Sequence, residues 1–199
     1  ARLQQPHVRQ FTEDRELTAW FLVDLSGSVD FGSADRTKLA VAEGLVAALA
    51  RLLTRQGNRV GAVLYRPGVP LTVLPPAVGR VQVLRLITEL KRPAPPARAR
   101  PAGGRWFGRR AEAPAPAGTR LDELLGRAEG LLKRRSMVFV ISDFISAPGW
   151  DGPLGRLARR HEVLAVRLYD ALEMALPDVG LVTLQDAETG EQLLVDTHD

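Results

Sequence analysis

The chain has 199 residues, 45% hydrophobic and 25% charged, the composition of one globular domain that buries roughly 70% of its unfolded surface without needing staples. It contains no cysteine, which excludes disulfide frameworks, thiolate zinc sites and cysteine nucleophiles and is compatible with a cytoplasmic setting. The formal charge of +4 suggests an anionic partner, but Lys91 to Gly118 carries seven basic residues against one acid, while the rest of the chain has 20 basic and 22 acidic residues, so the basic character belongs to one segment.

In chain order, Leu17 to Leu25 is a nearly continuous apolar run, as expected of a central parallel strand, and it ends in Ser26, Gly27 and Ser28. Leu39, Ala42, Val46, Leu49 and Leu53 recur at helical spacing, with Gly57-Asn58 as the stop. Arg59 to Tyr65 reads as a strand, Val69 to Leu74 as a short edge strand bracketed by prolines, and Val81 to Leu90 as a helix. From Arg92 to Gly118 the pattern breaks: six prolines, four glycines and most of the excess arginine, with alanine as filler, predict a mobile insertion spanning 91–118. Order resumes at Thr119, where Thr119 and Asp122 match a T-x-x-D capping box and Leu121, Leu124, Leu125, Ala128, Leu131 and Leu132 form a helical stripe. Met137 to Ser142 reads as a buried strand ending in Asp143, Leu154 to Arg160 as a short helix, and Glu162 to Leu168 as a further buried strand. Leu181 to Gln185 and Gln192 to Val195 form a C-terminal β-hairpin joined through 187–190. Strands alternating with helices imply a single α/β domain over 1–199, Rossmann-like, with a mostly parallel central sheet flanked by helices on both faces.

No apolar run approaches the ~18 residues of a membrane span, and the amino terminus does not read as a signal peptide. The missing initiator Met suggests a piece of a longer protein, so a membrane segment outside it is compatible with the sequence.

In a sheet of this kind ligands bind beyond the carboxyl ends of the strands, near the switch in strand order. Asp24, Ser26 and Ser28 leave the first strand as D-x-S-x-S, Thr119 opens the helix before the Met137–Ser142 strand, and Asp143 follows that strand. Two carboxylates and three hydroxyls are hard oxygen ligands that suit Mg²⁺ or Mn²⁺, and alternate residues of a tight turn can face one centre. So few negative charges leave the ion net positive and able to accept an incoming carboxylate. Taken singly, each residue is a common turn or cap residue; it is their joint placement that points to a metal site. Asp30 is the nearest spare carboxylate and reads as a loop acid ahead of the first helix, His161 as a solvated residue beside Arg159-Arg160, and His7 and His198 as terminal residues of no evident role.

The set Asp24, Ser26, Ser28, Thr119 and Asp143 resembles the metal-ion-dependent adhesion site (MIDAS) of von Willebrand factor A (vWA) domains. More narrowly, VRQFTEDREL, FLVDLSGSVDFGS, NRVGAVLY, VFVISDF and LPDVGLVTLQDAETGEQLLVDT resemble the bacterial family called domain of unknown function number fifty-eight. That resemblance covers nearly all of the chain except Arg92 to Gly118. It implies a vWA fold, a divalent cation, no catalysis of its own, and pairing with MoxR-type AAA+ ATPases. It also implies that Ser26 and Ser28 bind the ion directly, Thr119 directly or through water, Asp24 and Asp143 through water or hydrogen bonds to the hydroxyls, and that a partner's Glu or Asp completes the shell. Family members often carry amino-terminal membrane helices, which would make the longer protein membrane-associated.

The expected function is therefore a non-enzymatic, metal-dependent protein-interaction module. A Mg²⁺-dependent phosphoryl-transfer enzyme using Asp24 as nucleophile is the alternative, weakened by Ser26, where D-x-D sites have a second carboxylate, and by the expectation that no lysine stands beside Asp143 or Thr119 to neutralise a transferring phosphate. Nucleic-acid binding through the arginine-rich insertion, with Trp106-Phe107 as a stacking pair, is the third.

Overall fold

The computed structural model describes residues 17–32, 36–93, 119–174, 178–185 and 192–198. The expected insertion from residue 94 onward, His7 and the 187–190 connection lie outside the described residues.

The apolar run forms β1 (Thr18–Asp24), and a 3-10 turn (Gly27–Asp30) follows at once. Helix α1 (Lys38–Arg55) starts at Thr37, whose hydroxyl accepts from Ala40 N at 3.2 Å, and stops at Gly57, where φ is 81°. Then come β2 (Arg59–Tyr65), β3 (Thr72–Ala77) and α2 (Gly79–Leu90), and, after residue 118, α3 (Leu121–Leu131), β4 (Met137–Ser142), α4 (Asp151–Arg160), β5 (Glu162–Arg167) and the four-residue α5 (Ala171–Met174). Strands β6 (Leu181–Gln185) and β7 (Gln192–Asp196) pair antiparallel as the expected hairpin.

The main sheet runs β3-β2-β1-β4-β5, with β1, β2, β4 and β5 parallel and β3 antiparallel at one edge. Period-2 alternation divides its side chains between two cores. Ala19, Phe21, Val23, Val60, Ala62, Leu64, Phe139 and Ile141 pack with Ala42, Val46 and Ala50 of α1 and Val83, Leu86 and Leu90 of α2. Trp20, Leu22, Val63, Tyr65, Val138 and Val140 pack with Leu121, Leu124, Leu125 and Ala128 of α3 and Leu157 of α4. Both faces are therefore covered, and β1, with a parallel neighbour on each side, is the switch point in strand order.

Four expectations change. The edge strand sits later than the proline-bracketed span and contains Pro75-Pro76, which an edge strand tolerates because one row of its amides pairs with nothing. A register shift between Val60 and Ala62 accompanies those prolines, and the buried Gln82 amide donates to both Val60 O and Pro75 O at 2.9 Å, satisfying carbonyls beside the irregularity. A Cβ at Gly61 would stand 3.0 Å from Leu74 O and 3.1 Å from Pro76, so glycine is what lets the prolines approach. The strand β5 is not buried: it is the other sheet edge, Leu164 is 53% exposed, and only Val163 and Val166 lean into the two cores.

The capping box is also absent. Arg120 is the residue preceding α3 and its side chain makes no cap; its guanidinium instead holds Asp122 through Nε at 2.8 Å and Nη2 at 2.7 Å. Leu121 N donates to Ser146 Oγ, so the cap comes from the loop after β4. Lastly, His161 is buried, not solvated, and neither ring nitrogen has a hydrogen-bond partner.

Two outcomes follow from this packing. Gln82→Leu strands the Val60 and Pro75 carbonyls and should cost about 2 kcal/mol, read as a lower denaturant midpoint at unchanged slope. Burial, with Arg160 as a secondary cause, holds the His161 pKa below its ordinary 6.5, so the fold favours the neutral ring. Stability should be constant with respect to this group above about pH 6.5 and decline below it, as the unfolded chain takes up the proton first. His161→Leu should flatten that decline in a urea-melt series across pH, and an unchanged slope would refute the assignment.

Candidate functional site

The carboxyl ends of β1, β2 and β4 lie on one edge of the sheet because these strands are parallel and in register. Asp24 closes β1 and has no exposed surface. Its Oδ1 accepts from Ser26 N at 3.0 Å and its Oδ2 from Ser142 Oγ at 2.8 Å, so one carboxylate ties the end of β1 to the end of β4. Ser26 precedes the 3-10 turn, and the turn brings Ser28 back so that the two hydroxyl oxygens stand 3.1 Å apart. Val29, fully buried in the core, pins that turn, while Asp30 points outward and is exposed.

On β4, Ser142 Oγ also accepts from Phe144 N at 2.9 Å, and Asp143 Oδ1 accepts from Ile145 N at 3.0 Å. Phe144 between them has φ 62°, a left-handed conformation that costs a β-carbon-bearing residue about 1 kcal/mol. Its ring stacks at a tilt on Trp150 with 5.3 Å between centroids, which offsets that cost and fixes the direction in which Asp143 leaves the strand. Thr119 is buried at the same edge. Its carbonyl accepts from Ser146 Oγ at 2.8 Å and Ala147 N at 3.0 Å, and the next amide, Arg120 N, donates to Tyr65 Oη at the end of β2 at 2.9 Å. Asp24, Ser26 and Ser28 are thus linked at the end of β1, Asp24 is tied to Ser142 next to Asp143 at the end of β4, and Thr119 lies at the same edge through the loop after β4; four of the five expected residues are buried and Ser28 is half-buried.

Lysine 38 was not foreseen. Lys38 N donates to Phe31 O at 2.8 Å, and a Cβ on Gly32 would stand 2.6 Å from Arg36 O, so the chain folds tightly back on the 3-10 turn and starts α1 against the site. The buried Lys38 ammonium then reaches Asp143 Oδ2 at 3.1 Å and Glu173 Oε1 of α5 at 2.5 Å. The expectation that Asp143 has no lysine beside it fails, because the partner lies 105 residues away and no local spacing signals it. A second unforeseen cation, buried Arg66 just after β2, donates through Nη2 to Glu89 O, Leu90 O and Arg92 O and closes the carboxyl end of α2. Burial pushes the Asp24 carboxyl up from its ordinary range, against the Ser142 and Ser26 hydrogen bonds that pull it down, with Asp143 adding a small upward push. An ionised Asp24 therefore costs stability increasingly as pH rises through that raised value, and a nearby cation removes the cost.

Among the described residues no group of three or more His, Cys, Asp or Glu is arranged around a common point. The donor set at the switch point is instead two carboxylates with paired hydroxyls, which fits a hard divalent ion and not zinc. A family model described as "Protein of unknown function DUF58" matches residues 1–199. The chain belongs to the DUF58 family. Uncharacterized proteins of Mycobacterium tuberculosis and Mycobacterium bovis are each 39% identical to it over 198 residues, covering 96% of this chain and 54% of theirs. This DUF58 chain thus spans about half the length of the curated relatives it matches. Among solved structures it is similar to an aerotolerance-related membrane protein of Bacteroides fragilis carrying multiple mutations to serine (TM-score 0.58, 14% identity, 92% of this chain and 82% of that one). It is also similar to BatB of Bacteroides thetaiotaomicron (TM-score 0.54, 13% identity, 92% and 81%). At such identities the likeness concerns the fold. No helix among the described residues is long and apolar enough to cross a membrane.

Removing the ammonium tests the electrostatics of the edge. Lys38→Met leaves Asp143 buried without its cation and should destabilise the DUF58 domain by about 3 kcal/mol at neutral pH in the presence of chelator. A loss below about 1 kcal/mol in chemical denaturation would show that Asp143 is neutralised in another way.

Proposed function

We propose that this DUF58 chain is a vWA-like, metal-dependent protein-interaction module with a MIDAS-type site, and that it does not catalyse a reaction. The observation that carries the reading is the pair of Ser26 and Ser28 hydroxyls, 3.1 Å apart, in the turn that the buried Asp24 carboxylate holds at the switch point. Those hydroxyls would hold Mg²⁺ or Mn²⁺ directly, Thr119 directly or through water, and Asp24 and Asp143 from one step behind. When bound, the ion supplies a Lewis-acidic centre that accepts a carboxylate from a partner. The chain's own residues do the rest: Ser142 and Ser26 N aim Asp24, Ile145 N aims Asp143, and Tyr65 and Ser146 hold the Thr119 segment.

The partner class follows from the resemblance of the sequence motifs to chains that pair with MoxR-type AAA+ ATPases. Its structural neighbours are described as aerotolerance-related or as BatB, and one as a membrane protein, which supports a domain that works beside a membrane as part of a longer protein.

Lys38 beside Asp143 favours the phosphoryl-transfer alternative more than the sequence did, since a cation near a transferring phosphate is what that chemistry needs. Against it, Asp24 has no exposed surface and both its oxygens already accept hydrogen bonds, so it is poorly placed as a nucleophile. The reading of the 94–118 segment as a nucleic-acid arm lies outside the described residues.

Mg²⁺ or Mn²⁺ at about a hundredfold excess over its Kd should stabilise the wild-type chain by about 2.7 kcal/mol in a thermal-shift titration. The Ser26→Ala, Ser28→Ala double variant should not respond. An equal response in both proteins would remove the metal site from these residues.

A further inference from the structure

The Lys38 ammonium is shared between Asp143, which belongs to the proposed metal site, and Glu173, which does not. Glu173 comes from α5, a four-residue helix with no buried residue. Tyr169 and Met174 beside it are each 65% exposed, so this short element loses little apolar burial if it moves away. Its other carboxylate oxygen accepts only a local bond, from Asp170 N at 3.1 Å. Among the described residues the Glu173 side chain is thus the main long-range polar tie of α5: an acid seated on a buried lysine at the edge of the sheet. The Phe31 ring stands 6.0 Å from the same ammonium and is 40% exposed, which gives the seat an apolar neighbour, and the backbone of Ile145 is tied to Asp143 on which the ammonium rests.

We infer that Lys38 is a carboxylate seat in its own right, and that in the free chain Glu173 fills it as an internal occupant which a partner's Asp or Glu displaces. This deepens the proposed interaction role and rests on it for the nature of the partner, an acidic side chain flanked by apolar ones. The seat itself needs only Lys38. The seat is an ammonium 3.1 Å from Asp143 Oδ2, so it and a divalent ion at the proposed site would act side by side on an incoming acid. Displacement exchanges one charge-assisted bond for another, leaving Lys38 paired throughout and releasing α5. An occupied seat also lowers apparent affinity by the fraction of chains in which it is free.

Propionate, the side-chain analogue of glutamate, is the probe. Titrated into the full chain and followed by amide NMR at Phe31 and Ile145, it should bind Glu173→Ala about tenfold more tightly than wild type, as expected if the seat is occupied roughly nine-tenths of the time. The gain should persist in chelator, and in wild type saturating propionate should speed hydrogen exchange over Ala171–Met174. Equal affinities in the two proteins together with unchanged exchange in α5 would overturn the inference, even if Mg²⁺ binds as proposed. Tighter propionate binding by Glu173→Ala in a chain that ignores Mg²⁺ would instead keep the seat and discard the metal reading. Near-ultraviolet circular dichroism identical to wild type establishes that Glu173→Ala is folded, and the wild-type exchange measurement stands without the variant.

Discussion

The bond from Ser142 Oγ to Asp24 Oδ2 is the constraint on which the rest of the edge depends. It joins the two strands at which strand order turns outward in opposite directions, and it makes a fully buried anion tolerable by giving it a donor from β4 as well as the Ser26 amide from its own loop. Because Asp24 is held from both sides, the Ser26–Ser28 turn has a fixed point of departure, and its hydroxyls face each other. Because Ser142 also accepts from Phe144 N, the same hydroxyl sets the left-handed step that turns Asp143 toward Lys38. The edge is one hydrogen-bonded unit in which each member limits where the next can stand.

Its charge balance follows from burial. Two carboxylates without solvent are costly, and the ammonium of Lys38 compensates only the one it touches. Burial pushes the Asp24 carboxyl upward, and its neutral donors, Ser142 and Ser26, only partly oppose that push, so this corner of the protein favours added positive charge.

Much of this was legible in the sequence. Apolar runs and helical stripes placed β1, β2, β4 and all the main helices to within a few residues, since a parallel sheet covered on both faces leaves a strong periodic signal. The D-x-S-x-S turn, Thr119 and Asp143 were legible because a topological rule says which strand ends meet. Contacts that depend on distant partners were not. The helical stripe begins at Leu39 and gives Lys38 no role, the strand pattern stops at Tyr65 and gives Arg66 none, and His161 reads as a solvated residue beside Arg159-Arg160. The edge position of β5 was hidden for the same reason: Glu162 to Leu168 is as apolar as a central strand, and only strand order tells that it has a single neighbour. Asp122 matched a capping pattern but was claimed by the guanidinium two residues earlier, a stronger partner than a backbone amide.

Tyr65 and Arg66 are consecutive in the chain, one closing β2 and the other following it, and they hold opposite ends of the stretch between α2 and α3. Arg66 grips the carbonyls of Glu89, Leu90 and Arg92, and Tyr65 grips the amide of Arg120. Both feet of that stretch are thus fastened to a single dipeptide of the core. Doubling the length of chain between two such feet adds only about 0.6 kcal/mol of closure entropy. With both feet on neighbouring residues, a change in the length of chain between them alters closure entropy only slightly, which leaves length at this point open to variation between members of one fold.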